Sequence, residues 1–317
     1  MNNEQDIISW FIEEKVDWQD VIDFSLKQGV AGITFDSYQR MGESIDPKYA
    51  PNELAVMAWF GYTNILEKKY QKHKIAIDKL ASFYQQNDIR MVLLKGFGLS
   101  QYWPVPKHRL SGDMDIYLFG DWQKADELVS DKLGLLVDEG HEHHTCFTFE
   151  GERIENHYDF INTKSNKSAI WIETKLKELS AQFRDSAISL PSADFNAIFL
   201  VRHLGQHFAG VEATLRQVLD WGLFMRAENE NVNWEKIIPF LKKMEIYDFF
   251  SIINSICVKY LGFKESEFPE VSDNDALVYR VIEDILQPEF EGDVPRDNKL
   301  KAIAFNTRRF FANRVET

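Results

Sequence analysis

The segment from Met91 to Gly120 has the sequence MVLLKGFGLSQYWPVPKHRLSGDMDIYLFG. It begins with a short apolar run that is followed by Lys95. Near its end, Asp113 and Asp115 are separated by one residue. Side chains alternate between the two faces of a strand, so a strand here projects both carboxylates to one side and turns the residue between them to the core. Neighbouring carboxylates repel each other unless a cation lies between them. The segment therefore predicts a divalent-metal site on a strand.

The composition limits the class of protein. The chain has 317 residues, of which 44% are hydrophobic and 27% charged, as in ordinary soluble globular proteins. A net charge of -14 argues against binding along a nucleic-acid backbone. Cys146 and Cys257 are the only cysteines and form no metal or disulfide pattern. The first residues lack the basic flank and apolar core of a signal peptide, and no apolar run approaches the ~20 residues of a membrane helix. We therefore expect a cytoplasmic protein that binds neither membranes nor bulk nucleic acid.

The spacing of apolar residues divides the chain into three predicted regions. Residues 1–86 show helical spacing, which predicts an N-terminal helical region with one long helix from about residue 53 to residue 86. Residues 87–165 have the short apolar runs and turn residues typical of a small sheet. Residues 166–317 return to helical spacing and form a predicted C-terminal helical region. Its predicted helices cover residues 195–210, 215–226, 234–260 and 276–286, with a basic, aromatic helix over 299–314.

The central region contains further predicted sheet segments. They are a strand at 89–94, a segment at 133–137, and a hairpin in which 145–149 and 153–161 flank a turn at 150–152. In the returning strand of the hairpin, Glu155, His157 and Asp159 share one face. Glu155 is therefore a candidate third acid for the metal site of Asp113 and Asp115.

Three motifs in this region carry a family resemblance. They are LKG ending at Gly96, RLSGDMDI from Arg109 to Ile116, and IENH from Ile154 to His157. The chain resembles the uncharacterised nucleotidyltransferase family, a branch of the polymerase-β-like nucleotidyltransferase superfamily. The motifs span about residues 89–160, and the segment from His203 to Asp220 is also similar to the family's C-terminal region. The resemblance implies an α+β fold in which residues 87–165 form a small mixed β-sheet nucleotidyltransferase core flanked by helices.

The resemblance also implies roles for individual residues. Asp113, Asp115 and Glu155 are expected to be catalytic and to bind two Mg²⁺ ions, with Mn²⁺ as an alternative. The implied nucleotide-binding residues are Lys95, Gly96, Arg109 and Ser111. Two divalent ions about 3.5–4 Å apart suit the transfer of a nucleoside monophosphate, because charge develops on both the attacking and the leaving oxygen. In that reaction Glu155 accepts the proton of the acceptor, and Lys95 or Arg109 neutralises pyrophosphate.

The implied reaction transfers a nucleoside monophosphate from a nucleoside triphosphate such as ATP to a hydroxyl group. The acceptor is a small molecule, a protein or an RNA end. The Gly-Ser pair usual in the superfamily is here Gly96-Phe97, so the hydroxyl that commonly touches phosphate is missing. This difference motivates an alternative, a nucleotide-binding or interaction protein with the same fold and no turnover. A third interpretation is an abortive-infection-type toxin that modifies RNA or protein.

Several polar residues have more than one interpretation. His157 either orients Glu155, contacts the acceptor, or is a hydrogen-bonded structural histidine. His203 and His207 have the i, i+4 spacing of metal ligands but no third ligand, so we expect a polar helix face that lines the cleft. Arg216 and Asp220 are predicted to form a helix–helix ion pair. The run from His141 to His144 alternates faces if extended and then cannot supply three histidines to one metal, so it is predicted as a strand edge or loop.

Overall fold

The computed structural model describes residues 17–163, 169–181, 188–210 and 213–288, together with Ser9 and Glu13. The helix predicted over 299–314 lies outside the described residues. Among the residues described, helices flank one small mixed sheet, which confirms the predicted α+β fold.

Helices form the N-terminal part of the chain, as predicted. They are α1 (Trp18–Lys27), α2 (Ala31–Met41) and α3 (Glu53–Gln85). The long helix α3 begins after Asn52, whose side chain accepts a hydrogen bond from the Ala55 amide and so satisfies one free donor of the first turn. Trp59 of α3 is buried and donates a hydrogen bond to Ala31 O, which fixes α3 against α2.

A four-stranded sheet follows. Its strands are β1 (Val92–Leu93), β2 (Met114–Tyr117), β3 (His144–Phe149) and β4 (Glu152–His157), in the spatial order β1-β2-β4-β3. The β1–β2 and β3–β4 pairs are antiparallel, whereas β2 and β4 are parallel. Short 3₁₀ helices at Gly96–Tyr102 and Pro106–His108 connect β1 to β2, and helix α4 (Trp122–Leu133) lies between β2 and β3.

The strand boundaries differ from the prediction in three places. The strand predicted at 89–94 is only Val92–Leu93. The return strand predicted to reach residue 161 ends at His157, because the amides of Tyr158 and Asp159 both turn to His143 O. The segment at 133–137 forms no strand; next to it, Asp138 makes an isolated bridge to Cys146.

The two faces of the sheet have different environments. On one face Met114, Ile116 and Ile154 are fully buried against α3 and α4, which confirms the predicted alternation along β2. The opposite face carries Asp115 and Glu155. The acids thus lie on the side of the sheet away from α3 and α4.

Helices complete the described part of the chain. They are α5 (Ile170–Ser180), α6 (Ala193–Ala209), α7 (Leu215–Glu228), α8 (Trp234–Lys243), α9 (Tyr247–Tyr260) and α10 (Asp275–Leu286). The segment predicted as helical over 234–260 forms two helices rather than one continuous helix. Between them Glu245 adopts φ +59°, a conformation that a helix cannot contain. None of the helices in the described ranges combines the length and hydrophobicity that crossing a bilayer requires.

A buried glutamine joins the N-terminal helices to the C-terminal ones. Gln28, directly after α1, is fully buried, and its side-chain amide donates hydrogen bonds to Ile285 O and Leu286 O at the end of α10. Its side-chain oxygen accepts from Leu215 N at the start of α7, at 2.8 Å. The division of the chain at residues 86 and 165 stays a prediction.

Candidate functional site

Three carboxylates lie close together on one face of the sheet. Asp115 on β2 is directly opposite Glu155 on the neighbouring parallel strand β4, and Asp113 immediately precedes β2. The guanidinium of Arg153 connects the outer two, since its Nε lies 3.6 Å from an oxygen of Asp113 and 3.6 Å from an oxygen of Glu155. The structure therefore brings together the three acids that the sequence selects, here called the acid wall.

The central acid of this wall contacts a lysine and a histidine. His157 Nε2 lies 3.0 Å from Asp115 Oδ1, at hydrogen-bond distance, and Lys95 Nζ lies 3.3 Å from the same oxygen. Burial raises the pKa of Asp115, but the Lys95 charge and the His157 hydrogen bond outweigh it, so the pKa of Asp115 lies well below its usual value. Burial conversely lowers the pKa of His157, and the hydrogen bonds to Asp115 and Glu155 raise it to a net value above the usual one.

The outer two acids have opposite pKa shifts. Burial and the negative charge of Glu155 raise the pKa of Asp113, whose side chain is still 49% exposed. Burial also raises the pKa of Glu155, but the His157 hydrogen bond reverses the effect and the net pKa is lowered. Glu155 is thus ionised at neutral pH with a low proton affinity, whereas Asp113 is the acid whose charge the surroundings compensate least.

A cavity of about 660 Å³ opens in front of the acid wall. Its lining comes from α1, the turn after β1, the residues before and on β2, and helices α6 and α7. Its basic and imidazole side chains are Lys27, Lys95, Arg109, His203, His207 and Arg216. His203 and His207 therefore line the cleft, as the sequence indicates. Burial, followed by the nearby Lys95 charge, lowers the pKa of His203 well below its usual value, so its imidazole is neutral.

Gly96 brings the backbone close to the acid wall. It has φ +61°, a conformation that favours glycine, and a Cβ there would lie 3.3 Å from Asp113 O and 3.7 Å from an Asp115 carboxylate oxygen. The side chain of the next residue, Phe97, lies outside the cavity. Its ring stacks on Tyr70 of α3, with the ring centroids 4.8 Å apart, and it does not line the cavity.

The opposite side of the cavity contains a buried ion pair. Arg109 donates from Nε and Nη2 to the two carboxylate oxygens of Asp220, both at 2.7 Å, and both side chains are almost fully buried. Asp220 also accepts from Trp103 Nε1 at 2.8 Å. The predicted Arg216–Asp220 pair is therefore wrong in its basic partner. Arg216 instead donates from Nη1 to Leu110 O at 3.3 Å.

The remaining donors of Arg109 shape the loop before β2. Its Nη1 donates to Leu110 O at 3.0 Å and to Ser111 Oγ at 3.1 Å. Ser111 is buried and does not line the cavity. Of the predicted nucleotide-binding residues, Lys95, Gly96 and Arg109 thus face the cavity and Ser111 lies behind it.

The cavity residues that were not selected from the sequence include one lysine and one glutamine. Lys27, in the last turn of α1, and Gln217, in the first turn of α7, both line the cavity. No local motif distinguishes Lys27 from the other lysines of the N-terminal region, and Gln217 forms the capping box that begins α7. Their place depends on how α1 and α7 pack, which the sequence pattern does not encode.

One of three comparisons with known proteins identifies the family of the chain. Neither the curated proteins nor the solved structures gave a significant match. The profile of one family, described as an uncharacterised nucleotidyltransferase, matches residues 14–262, a span that includes the acid wall, the turn at Gly96 and the helices around the cavity. The match covers well over half of the 317 residues, so the chain belongs to the uncharacterised nucleotidyltransferase family.

Proposed function

We propose that the protein transfers a nucleoside monophosphate from a nucleoside triphosphate to a hydroxyl acceptor, with two divalent cations held by Asp113, Asp115 and Glu155. Family membership supports a nucleotidyltransferase activity and implies a nucleoside triphosphate as substrate. The observation that carries the proposal is the convergence of three carboxylates, from two neighbouring strands, on the wall of one cavity.

The donor set fits Mg²⁺, and Mn²⁺ is the alternative. Carboxylate oxygens are the protein ligands that Mg²⁺ prefers, together with phosphate oxygens of the substrate. Asp115, Glu155 and His157 also present donor atoms within 4.8 Å of one another. Bound divalent cations would stabilise the charge that develops on the acceptor oxygen and on the phosphate. The raised pKa of Asp113 supports this assignment, because its charge lacks a sufficient partner within the protein.

In the proposed reaction the acceptor oxygen forms a bond to the α-phosphorus, and the bond from that phosphorus to the bridging oxygen of pyrophosphate breaks. Glu155 takes the proton of the acceptor hydroxyl, directly or through a water molecule. Its lowered pKa keeps the carboxylate unprotonated at neutral pH before the reaction begins. His157 is a positioning residue, because it contacts both Asp115 and Glu155 and fixes their relative orientation.

Lys95 and Gly96 are the residues that we assign to the phosphates. The Lys95 ammonium group neutralises charge on the departing pyrophosphate. Gly96 lets the triphosphate approach the backbone, because a side chain there would occupy the space beside Asp115. Arg109 and Ser111 act mainly through the loop before β2, since four of the five Arg109 donors are used within the protein.

The position of Phe97 favours this enzyme over a fold without turnover. The aromatic residue replaces the usual serine, but its ring packs against Tyr70 and leaves the cavity open in front of Gly96. The space for a triphosphate is thus retained. Residues 87–165 remain our proposed catalytic core, with the helical regions on either side supplying the other walls.

The test uses purified full-length protein and nucleoside triphosphates labelled at the α-phosphate. We expect Mg²⁺-dependent release of pyrophosphate and transfer of label to an added hydroxyl acceptor or to the protein itself. The double variant Asp113→Asn with Asp115→Asn should lose at least ~1,000-fold in rate, since it removes two ligands that stabilise the transition state. The matched control is Glu127→Gln with Asp131→Asn, which removes two exposed acids of α4 and should leave the rate unchanged.

Unchanged turnover in the Asp113 and Asp115 double variant would contradict the proposed catalytic residues. Tight binding of the labelled nucleotide with no pyrophosphate release under any acceptor condition would instead favour the binding protein. Recovery of the label in RNA or in another protein would support the interpretation of the chain as a toxin that modifies RNA or protein.

A further inference from the structure

A second group of metal-ligating side chains lies at the edge of the sheet, outside the cavity. His141, His144 and Cys146 each place a ligand atom within 4.8 Å of those of the other two. None of the three lines the cavity of the acid wall. We propose that these three residues, with Asp138 as the fourth ligand, bind one Zn²⁺ ion.

The local chain conformation explains how these residues meet. His144 and Cys146 are alternate residues of β3 and therefore project from the same face. Residues 141–143 form a bend rather than an extended strand, so His141 folds back onto His144. The two imidazole rings stack with centroids 4.5 Å apart and planes inclined by 19°. In a continuous strand, His141 and His144 would project from opposite faces. The bend instead places both of them beside the Cys146 thiol.

Nitrogen atoms at this site lack hydrogen-bond partners. His144 is 9% exposed, and neither its Nδ1 nor its Nε2 has a hydrogen-bond partner. His141 Nε2 is also buried and without a hydrogen bond; Asp138 Oδ2 lies 3.4 Å from it. Buried polar groups of native proteins are normally satisfied, because an unpaired one costs about 1–3 kcal/mol. A bound cation would supply the missing partner to both imidazoles.

The chemistry of the donors selects Zn²⁺ over Mg²⁺. One thiolate and two imidazoles are soft and borderline ligands, whereas the acid wall offers only hard oxygens from its carboxylates. In a tetrahedral site with bonds of about 2 Å, neighbouring nitrogen and oxygen ligands lie about 3.3 Å apart. The 3.4 Å between His141 Nε2 and Asp138 Oδ2 matches that edge length.

Two features hold the ligands in place. Asp138 and Cys146 exchange a pair of backbone hydrogen bonds of 2.8 and 2.9 Å, so the fourth ligand is tied to the strand that carries the thiol. Arg153 Nη2 donates to Cys146 Sγ at 3.1 Å, the kind of outer contact that orients a metal-bound thiolate.

The proposed Zn²⁺ site lies next to Glu155 of the acid wall. The proposal does not depend on the proposed nucleotide transfer. Cys146 lies directly opposite Glu155 in the strand register, and His144 Nε2 is 3.8 Å from Glu155 Oε1. A bound ion would therefore fix the strand edge next to Glu155 whatever reaction the cavity performs.

The test is a titration of the metal-free, full-length protein with Co²⁺, followed by displacement with Zn²⁺. In buffer with excess Mg²⁺, which occupies the acid wall, we expect one Co²⁺ per chain, the intense visible bands of a four-coordinate ion, and a thiolate-to-cobalt charge-transfer band in the near ultraviolet. Added Zn²⁺ should remove all of these bands, whereas an excess of Mg²⁺ should not, because Mg²⁺ binds carboxylates and not thiolates.

Variants assign the ligands. Cys146→Ser should remove the charge-transfer band and weaken Co²⁺ binding at least ~100-fold, while Cys257→Ala, which removes the other thiol, should leave the spectrum unchanged. His141→Ala replaces a ligand in a surface bend, so it tests the site with little risk to folding; it should weaken binding at least ~10-fold. His143→Ala, which changes a neighbouring imidazole that is not one of the proposed ligands, should keep wild-type binding.

Three results would overturn the proposal. They are the absence of a charge-transfer band in the wild-type protein, its persistence in Cys146→Ser, and a loss of Co²⁺ binding in His143→Ala equal to that in His141→Ala. The last result would place the ion among His143, His144 and His157, whose ligand atoms also converge.

Discussion

The two charged walls of the cavity balance their charges differently. On the α7 side, Arg109 and Asp220 neutralise each other through two hydrogen bonds of 2.7 Å, and both are almost completely buried. On the sheet side, three acids share Lys95, His157 and the half-exposed Arg153. An ion pair whose two charges neutralise each other within the protein stabilises the fold. A group of acids whose negative charge is only partly neutralised is available to bind a cation. The comparison predicts that substitutions in the first wall change stability and that those in the second change cation binding.

The largest expected effect on stability comes from breaking the Arg109–Asp220 pair. Asp220→Asn should lower the free energy of unfolding by about 3–5 kcal/mol, because it leaves the Arg109 guanidinium buried without a counter-charge. Urea denaturation measures the change. The matched control is Arg226→Gln, which breaks the Arg226–Glu267 pair of 2.8 Å, where the arginine side chain is 47% exposed. That variant should lose only about 0–1 kcal/mol. Equal losses of unfolding free energy in the two variants would show that the buried Arg109–Asp220 pair stabilises the fold no more than an exposed pair does.

The acid wall should respond to divalent cations. Mg²⁺ at 100 times its dissociation constant should stabilise the wild-type protein by about 2.7 kcal/mol, and a chelator should reverse the effect. Asp113→Asn with Asp115→Asn should abolish this response, while Asp220→Asn should retain it despite its lower starting stability. Thermal unfolding with and without Mg²⁺ provides the comparison. A response that survives in the acid-wall double variant would mean that the cation binds elsewhere.

A smaller effect, dependent on pH, comes from His157. Because its folded pKa is raised above 6.5, its contribution to stability is fully present below pH 6.5 and is lost as pH rises through the folded pKa. His157→Gln should therefore cost about 1.5 kcal/mol in acidic buffer without metal and less in alkaline buffer.

His143, His144 and His203 have lowered pKa values and so the opposite pH dependence, which makes the difference between wild type and variant the quantity to measure. A difference in unfolding free energy that is the same on both sides of pH 6.5 would contradict the charged His157–Asp115 contact.

The smallest effect concerns the backbone next to the acid wall. Gly96→Ala should cost about 1 kcal/mol, because alanine must adopt φ +61° at that position. The control is Gly112→Ala, where a Cβ meets nothing within 4 Å and φ is not positive; it should change the unfolding free energy by less than about 0.5 kcal/mol. If both variants unfold alike, the conformation of Gly96 does not constrain the turn.

The sequence predicted well those features that depend on local periodicity. The apolar spacing of α3 gave a helix within one residue of its observed end. The alternation around Asp113 and Asp115, and that around Glu155, placed the acids on one face because a strand has a fixed period of two. The α+β arrangement followed from the same patterns.

The features that the sequence did not predict depend on distant contacts. Asp220 takes its partner from 111 residues away, although Arg216 is one helical turn from it in its own helix. The return strand stops at His157, where the amides of Tyr158 and Asp159 turn to His143 O and those of Phe160 and Ile161 bind the Glu173 carboxylate from α5. The break at Glu245 has neither glycine nor proline to signal it. In the first two cases a contact from a distant part of the chain determined the outcome, and no local pattern encodes such a contact.

Gln28 has a consequence for protein synthesis. Its side chain connects α1 to the end of α10, more than 250 residues later in the chain, and to the start of α7. A nascent chain that has already paired β2 with β4 therefore possesses its acids but not the enclosure formed by α1 and α7. We expect the packing of α1 against α7 and α10 to be complete only once residues near 286 have left the ribosome, because Gln28 makes hydrogen bonds to both of those helices.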